Sequence, residues 1–553
     1  MDAKYYLYLL EVGGIQDFVF SSNNLQVNVG ASALVRAITD EWIKQVLAEK
    51  KTNFLDSGEG SGNAFSDAKI DQDSLDAEII YIGGGNALIL FKDTKLIGEF
   101  DKELSRRILV HAQGIKLTSD FLEVDLHKDN LRLKNAELHQ KLSKKKSAQE
   151  THSSLPGLGV SARCVFSGSP ASGIWEDPGR NPRRVSDGVI AKLQYLPLAK
   201  TYLDKITQAV VGFDDQKYGF ISNFDDFGEK GVSSYLAIVH LDGNRMGKRI
   251  EALGSELSFP NNNRAYLKLL RDFSESCETA AKNALVATLE KLLRSLQMDE
   301  QGYFIQQKFD ETGNPLPGKV KQVLPRVNVD LSQLPFRPIV FGGDDVTFIC
   351  DGRLGLSLAK EYLNNYGQQL LEEGISPKRP PVGRAGIAIT PSHFPFSQGY
   401  SLAEELSGNA KREGNDGTEA SLDWHIGKNG IVKPLGATRE QQYKVPSGSL
   451  VMRPLKLTNA SGYDFETFDF IVRSFWSSKD WFGRRNKVKA LFGVMPEGGR
   501  NVASFRTLLK LPNLPSHTKL ANLGQVIEEG WYGNRCYYFD ALEALDFYIP
   551  VED

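Results

Sequence analysis

Cysteine is scarce in this 553-residue chain: Cys164, Cys277, Cys350 and Cys536 stand far apart and include no C-x-x-C pair. That spacing excludes a zinc ribbon and a disulfide framework and points to a reducing cytoplasm. An excess of one charge is missing too. The formal net charge is -3, from Lys+Arg 66 against Asp+Glu 69, so no global field draws nucleic acid or an anionic membrane, and any nucleic-acid contact must be local. Long apolar runs are absent. The N-terminal run from Tyr5 to Leu10 lacks a basic leader and stops at Glu11, so neither secretion nor membrane insertion is expected. What the chain has is length beyond what one hydrophobic core supports, which predicts three or four domains.

The most informative stretch is Pro338-Ile-Val-Phe-Gly-Gly-Asp-Asp-Val-Thr-Phe-Ile-Cys350, two apolar β-rich runs around Gly342-Gly343-Asp344-Asp345. The glycines can take the positive φ of a tight hairpin turn, and the two acids emerge at the start of the return strand. Adjacent carboxylates are costly unless something cationic binds them. Mg²⁺ or Mn²⁺ suits hard oxygen ligands, and a phosphate-bearing substrate can complete the shell. An ordinary hairpin with two solvated acids has the same local sequence, so the motif needs support from the rest of the chain.

That support is a repeat. Residues 4–12 read as a strand entering the turn Gly13-Gly14, followed by Ile15 to Phe20 and a helical pattern through Leu34 to Leu47. After a Gly/Ser-rich stretch at 57–66, residues 78–91 read as strand, glycine turn, strand; a helix (95–113) and a strand (121–126) follow. The order returns as strand 235–241, turn Asp242 to Gly247, helix 266–296, the Gly342 hairpin, helix 354–371 and strand 382–390. Laid together, the copies place Gly83-Gly84-Gly85-Asn86 on Gly342-Gly343-Asp344-Asp345, and Glu11 on Asp242. One copy keeps the acids and the other lacks them. Adjacent hairpins inside alternating strands and helices predict an α+β fold of two ferredoxin-like units, facing each other as a pseudo-dimer.

Four domains are expected: 1–127, the degenerate first unit; 128–232, a bridge; 233–448, the second unit with the acids; and 449–553, aromatic-rich and mainly helical. The bridge holds Lys144-Lys145-Lys146, read as a solvated helix face or loop rather than an RNA clamp. A polar, Gly/Pro-broken insertion covers 299–335. Trp476, Trp481, Arg484, Arg485 and Lys487 form either a partner or nucleic-acid surface or a helical core with basic residues outside it.

Asp242 ends an apolar strand, and Gly243, Asn244, Arg245, Met246 and Gly247 lead into a helical segment near Lys248. A strand-end carboxylate beside helix N-terminal amides, meeting Asp344 and Asp345 across a sheet, predicts a two-metal nucleotidyl-transfer site with a phosphate cradle. Beyond the fourth strand, a helical pattern from Tyr400 ends in Lys411-Arg412, cations placed either for terminal phosphates or simply for the helix dipole.

These residues resemble a known family, the large polymerase/cyclase subunit of type III CRISPR effector complexes, which carries two palm domains related to GGDEF-type nucleotide cyclases. The similarity lies in Gly13-Gly14-Ile15-Gln16-Asp17-Phe18 with Asn28-Val29-Gly30-Ala31-Ser32, Leu241 to Gly247, Gly342 to Asp345, Ala410-Lys411 and Phe539-Asp540-Ala541-Leu542-Glu543. It implies conversion of ATP into cyclic oligoadenylate with Mg²⁺ or Mn²⁺ on Asp242, Asp344 and Asp345. Nucleotide would be bound by Gly13, Gly14, Gly84 and Gly85 in the first palm and by Gly243, Asn244, Arg245, Gly247, Lys248, Gly342, Gly343 and Lys411 in the second. The implied partners are the small subunit, the subunit that binds the crRNA 5′ end, crRNA and target RNA. Three departures carry expectations. There is no His-Asp dipeptide and the chain starts inside the first palm, so no HD nuclease is expected. Zinc-binding cysteine pairs are absent, and Asn244 stands where many members have a second aspartate. A free-standing defence cyclase and a non-catalytic scaffold remain the alternatives.

Overall fold

The computed structural model describes residues 4–55, 65–148, 160–176, 181–227, 234–299, 302–309, 315–323, 333–372, 382–413, 419–427, 434–459, 462–520 and 523–551. Most of the expected Gly/Ser insertion, 57–64, and 157–159 of the bridge lie outside these residues. The chain divides into two compact units, Met1–Ala209 with Arg245–Lys282 and Ile339–Asp344, and Val210–Asn244 with Asn283–Pro338 and Asp345–Asp553.

The first unit is built on β1 (Lys4–Gly13), α1 (Ile15–Phe20), α2 (Leu25–Thr39), α3 (Glu41–Leu47), β2 (Ala77–Gly83), β3 (Asn86–Phe91), α4 (Thr94–His111) and β4 (Lys116–Asp125). Its sheet order, β2-β3-β1-β4, is that of a ferredoxin-like fold. Successive side chains of β1 point to opposite faces. Tyr5, Leu7 and Leu9 enter a core with Leu131, Leu138 and Leu142 of α5 (Leu131–Ala148) and with Tyr266, Leu267 and Leu270. On the other face Tyr8 meets Phe91 and Phe100 edge-on. A charged cluster reinforces the first face, with Arg264 donating to both oxygens of Glu78 at 2.8 Å.

Helices α6 (Asp187–Gln194) and α7 (Leu196–Thr207) pack on α2. The approach is close, since a Cβ on Gly30 would stand 2.0 Å from the Lys192 carbonyl oxygen. Lys192 itself is buried, donates to the Phe18 carbonyl at 2.5 Å and lies over the Phe18 ring.

The second palm sheet contains β5 (Tyr235–Gly243), β6 (Phe336–Gly342), β7 (Asp345–Asp351), β8 (Gly383–Pro391), β9 (Ser421–Ile426) and β10 (Leu455–Lys456), in the order β6-β7-β5-β8-β9-β10. The first four repeat the order of the first palm. β9, parallel to β8, and β10 extend the edge. Between β5 and the hairpin come α8 (Met246–Ala252) and α9 (Asn263–Ser295); α10 (Gly355–Glu372) precedes β8 and α11 (Phe396–Glu413) follows it. The 299–335 insertion differs from the irregular segment expected. Leu296–Asp299, Gly302–Phe309 and Pro315–Val323 pair as a three-stranded sheet, although Gly302, Pro315, Pro317 and Gly318 fall within the strands.

The C-terminal region is mainly helical as expected, with helices Phe465–Ser477, Arg485–Val494 and Gly499–Leu508, and it adds a small four-stranded sheet from short segments. Its closing motif is structural. Arg453, fully buried, donates to Asp540 at 2.9 Å and Glu543 at 2.7 Å, while the Met452 and Arg453 amides also donate to Asp540. An ion triad so enclosed would cost several kcal/mol if one partner were removed.

Candidate active site of the second palm

Strand register decides which side chains share the site. Asp242, the next-to-last residue of β5, pairs with Asp345 on β7 and with Arg384 on β8. Residues directly opposite on neighbouring strands project to the same face, so Asp345, Asp242 and Arg384 form one row. That face is the one α11 covers: Ile238 and His240, even-numbered like Asp242, meet Gly399 and Tyr400 of α11.

Arg384 was absent from the expected site residues, and it changes the site's charge. Its guanidinium forms an ion pair with Asp242 Oδ2 and donates through Nη1 to Asn244 Oδ1 at 2.8 Å. The pair is largely enclosed, with the two side chains 13% and 19% exposed. The signal in the sequence was an arginine at the entry of an otherwise apolar fourth strand; the register with Asp242 came from pairing.

Asp344 sits in the turn before β7, and burial pushes its carboxyl up from the usual range. A desolvated carboxyl beside Asp345 is chemically suited to a divalent cation. The same carboxylate, after burial itself, helps push the Cys277 thiol up to about 12, so Cys277 is an inert core thiol. His240, pushed down to about 4 by burial and then by Arg384, is neutral at pH 7. Its Nδ1 lies 3.3 Å from the Thr347 hydroxyl. Among the described residues no three His, Cys, Asp or Glu side chains are gathered as a metal-ligand set. Of the expected trio, Asp242 and Asp345 face each other across the strand pair and Asp344 precedes Asp345 in the turn, while Asp242 also forms an ion pair with Arg384.

The phosphate cradle is also narrower than expected. Asn244 is fully buried and its backbone N–H donates to the Val382 carbonyl at 2.9 Å, which takes that N–H from any phosphate. Arg245 has φ 61, left-handed for a non-glycine residue, and caps α8; such strain accompanies function more often than chance. Gly243 ends β5, whereas Gly247 and Lys248 are exposed on α8. Gly342 closes β6, and Gly343 turns the hairpin at φ 73.

Lys411 lies exposed in the last turn of α11. A Cβ on Gly386 would stand 1.9 Å from the Ala403 carbonyl oxygen, so glycine lets the helix lie directly on β8. Its end is pinned to β9: Ser421 donates to the Ala410 carbonyl at 2.7 Å and Asn409 to Asp423 at 2.7 Å.

In the first palm the equivalent row is Asn86, Glu11 and Thr118. Gly14 repeats the left-handed turn of Arg245, at φ 72, after the end of β1 at Gly13. Gly84 and Gly85 turn the β2-β3 hairpin at φ 59 and 83. A Cβ on Gly343 would lie 3.5 Å from the Cα of Gly84, so these two glycine turns, both within the first unit, abut.

The two basic segments are accounted for structurally. Lys145 and Lys146 are not simply solvated, since they reach the Ser119 carbonyl and Glu11, each at 2.6 Å. Trp481 is buried with its indole N–H on the Asn513 carbonyl at 3.1 Å, and Arg485 lies over Trp476 and pairs with Asp546. Trp481 thus belongs to the core, whereas Arg484, Arg485 and Lys487 are exposed.

Residues 235–418 match the family model of the second palm domain of Cas10/Cmr2. A comparison with curated proteins returns no match. Among solved structures, the chain is similar to a Csm1-Csm4 cassette in complex with cA4, at 12% identity and TM-score 0.52, covering 99% of this chain and 70% of the other. It is similar to the cassette in complex with AMPPNP, at 12% identity and TM-score 0.53, covering 98% and 69%. The Csm1-Csm4 subcomplex of the type III-A CRISPR-Csm interference complex gives 13%, 0.52, 99% and 70%. No helix among the described residues is long and apolar enough to cross a membrane. Residues 235–418 thus resemble the second palm domain of Cas10/Cmr2, and the chain shares the double-palm fold of the Csm1-containing structures.

Proposed function

We propose that this chain is a metal-dependent synthase of cyclic oligoadenylate from ATP, acting as the large subunit of a type III CRISPR complex in the cytoplasm. The observation that carries the reading is the pairing of Asp345 with Asp242 at the open end of a Cas10/Cmr2 palm sheet. Related structures hold AMPPNP, pppApA and cA4, a substrate analogue, a linear nucleotide and a ring.

The reaction is an in-line displacement. A ribose hydroxyl of the acceptor attacks the α-phosphorus of the donor ATP; the new O–P bond forms as the bridge to the β-phosphate breaks, pyrophosphate leaves, and the hydroxyl proton passes to solvent. Asp344 and Asp345 are the acids to hold Mg²⁺ or Mn²⁺, which would neutralise charge on the reacting phosphates. Lys411, on its anchored helix end, is the cation for the terminal phosphates. The first palm, with Asn86 in place of an acid, takes the acceptor nucleotide at its glycine turns.

The partners in this reading are the small subunit, the crRNA 5′-end-binding subunit, crRNA and target RNA. Purified chain incubated with ATP and Mg²⁺, alone and with co-purified partners and target RNA, should form oligoadenylate rings, read by mass, only in the second case. Activity without RNA would favour a free-standing cyclase. The capture of Asp242 by Arg384 favours a scaffold as the second reading, and absence of product in both arms would establish it.

A further inference from the structure

Strand β9 presents two polar residues to the helix that carries Lys411. Ser421 and Asp423 are alternate residues of β9, so their side chains leave one face of the sheet. Their partners are consecutive residues of α11: Ser421 donates to the Ala410 carbonyl and Asn409 donates to Asp423 Oδ2, each at 2.7 Å. Lys411 comes next in the chain. Asp423 is fully buried, and its other oxygen accepts from Arg439 of α12 (Leu435–Gln442) and from the Trp424 backbone N–H at 2.9 Å. The Asn409 amide is fixed in orientation: its nitrogen meets an acceptor-only carboxylate, while its oxygen accepts from Arg412 Nη2, a donor-only group, at 2.5 Å. α12 is itself tied to α11, because the Leu435 N–H donates to Glu405 Oε1 at 3.1 Å. Apolar residues at these two strand positions would be easier to bury. What a carboxylate and a hydroxyl supply instead is direction, since a hydrogen bond constrains angle as well as distance and so fixes the rotation of the last turn of α11.

We propose that Asp423 is a positioning residue of the second palm's nucleotide site. Acting through Asn409, with Arg439 as its counter-ion, it sets the direction in which the end of α11 offers Lys411 to the terminal phosphate of the donor nucleotide. A lysine stem is flexible, so the placement of its Cα and the direction of its Cα–Cβ bond limit where the ammonium can reach. The inference rests on the cyclase reading above, which makes Lys411 the phosphate cation, and adds what holds that lysine in place. Asp423 touches no substrate. Its effect is therefore confined to the group Lys411 reads, the terminal phosphate, and spares the parts that ATP and ADP share.

Calorimetric titration of the full chain with AMPPNP and with ADP, both with Mg²⁺, tests it. Asp423→Asn keeps the side chain's shape but sets a donor against the Asn409 donor, so it should weaken AMPPNP binding by about five- to tenfold and leave ADP within about twofold. Asn409→Ala, at a half-buried position, removes the same link without touching the Asp423–Arg439 pair and should give the same selective loss, which keeps the inference testable where the first variant folds poorly. In a Lys411→Ala chain neither substitution should lower the preference for AMPPNP over ADP any further, because the group they position is gone. In the exchange Asp423→Asn with Asn409→Asp the amide and the carboxylate trade places, Arg412 and Arg439 still find oxygens, and the preference should return to within about twofold of wild type. Equal losses for the two nucleotides, no loss, or an additive loss in the Lys411→Ala chain would make Asp423 a merely structural residue and overturn the inference while the cyclase reading stands. A Lys411→Ala chain that keeps the wild-type preference would overturn the inference together with the role given to Lys411.

Discussion

The two palms share one construction and put different chemistry on it. In each, the acid at the end of the central strand pairs with a hairpin residue, Glu11 with Asn86 and Asp242 with Asp345. In each, the helix after the fourth strand has 18 residues with a lysine two positions before its end, Lys146 and Lys411. The cations are redistributed. In the first palm Lys146 reaches back to Glu11 at 2.6 Å. In the second, Arg384 takes Asp242 from the neighbouring strand, and Lys411 makes no ion pair among the described residues. The acid at the end of the central strand is thus neutralised from the sheet in the second palm and from the helix end in the first.

The widest separation between the palms should come from the hairpin acids. Asp344→Ala with Asp345→Ala should lower product formation by at least about a thousandfold, and residual turnover within about tenfold of wild type would remove these acids from the metal site. Thermal stability of that variant should hold or rise, since Asp344 is a desolvated carboxyl whose removal relieves burial of charge.

Next come the equivalent lysines. Lys411→Ala should weaken ATP binding by roughly ten- to a hundredfold and penalise ATP more than ADP, because only ATP carries the terminal phosphate. Lys146→Ala, the same change in the first palm, should leave ATP affinity within about threefold, as its charge is already spent on Glu11. Calorimetric titration of both variants with both nucleotides decides it; equal losses for ATP and ADP in Lys411→Ala would make it an ordinary helix-terminal lysine.

A bulky residue in the first palm's turn should sharpen the contrast between acceptor and donor. Gly85 has φ 83, and a Cβ there would meet Ile15 Cδ1 at 2.8 Å. Gly85→Val should therefore cost about 1–3 kcal/mol of stability and impair chain formation more than donor ATP binding. Parallel losses in single-turnover and ATP-binding measurements would contradict separate roles for the palms.

A smaller effect concerns Lys192, buried against Phe18. Burial pushes the Lys192 ammonium down to about 8 from 10.5. Its folded value lies below its unfolded one, so the unfolded chain holds the extra proton between them, and stability rises with pH through that window. Below pH 8 the cost of the buried charge is fully present. Lys192→Met should flatten the rise, which melting curves from pH 7 to 10.5 would record as a difference of about 1–3 kcal/mol at the extremes. The smallest effect belongs to Glu11→Gln, which breaks a half-exposed pair with Lys146 and should change stability by less than about 1 kcal/mol.

Much of this is legible in the sequence. The repeat predicts Glu11 at the position of Asp242, and Asn86 at that of Asp345, and the strand registers reproduce both equivalences. The Gly13-Gly14 and Asp242-Gly243-Asn244-Arg245 turns also correspond, down to a left-handed residue three after the acid. Such features are local: a two-residue period, a glycine turn and an apolar run follow from backbone sterics and can be read from neighbours in the chain. The three-stranded insertion was missed because Gly302, Pro315, Pro317 and Gly318, residues that read as breakers, lie within its strands.

By itself the sequence determined the two palm units, their strand order and the acids at the hairpin, because each follows from patterns within some tens of residues. Only tertiary structure decided where the charges go. Arg384 lies 142 positions from Asp242 in the numbering and Lys146 lies 135 from Glu11, and pairing across strands or from helix to sheet is what brings each together. A charge acquires its role from the low-dielectric partner it meets, and that partner is set by the register of the sheet and the close seat of a helix on a glycine, neither of which is written beside the residue in the chain.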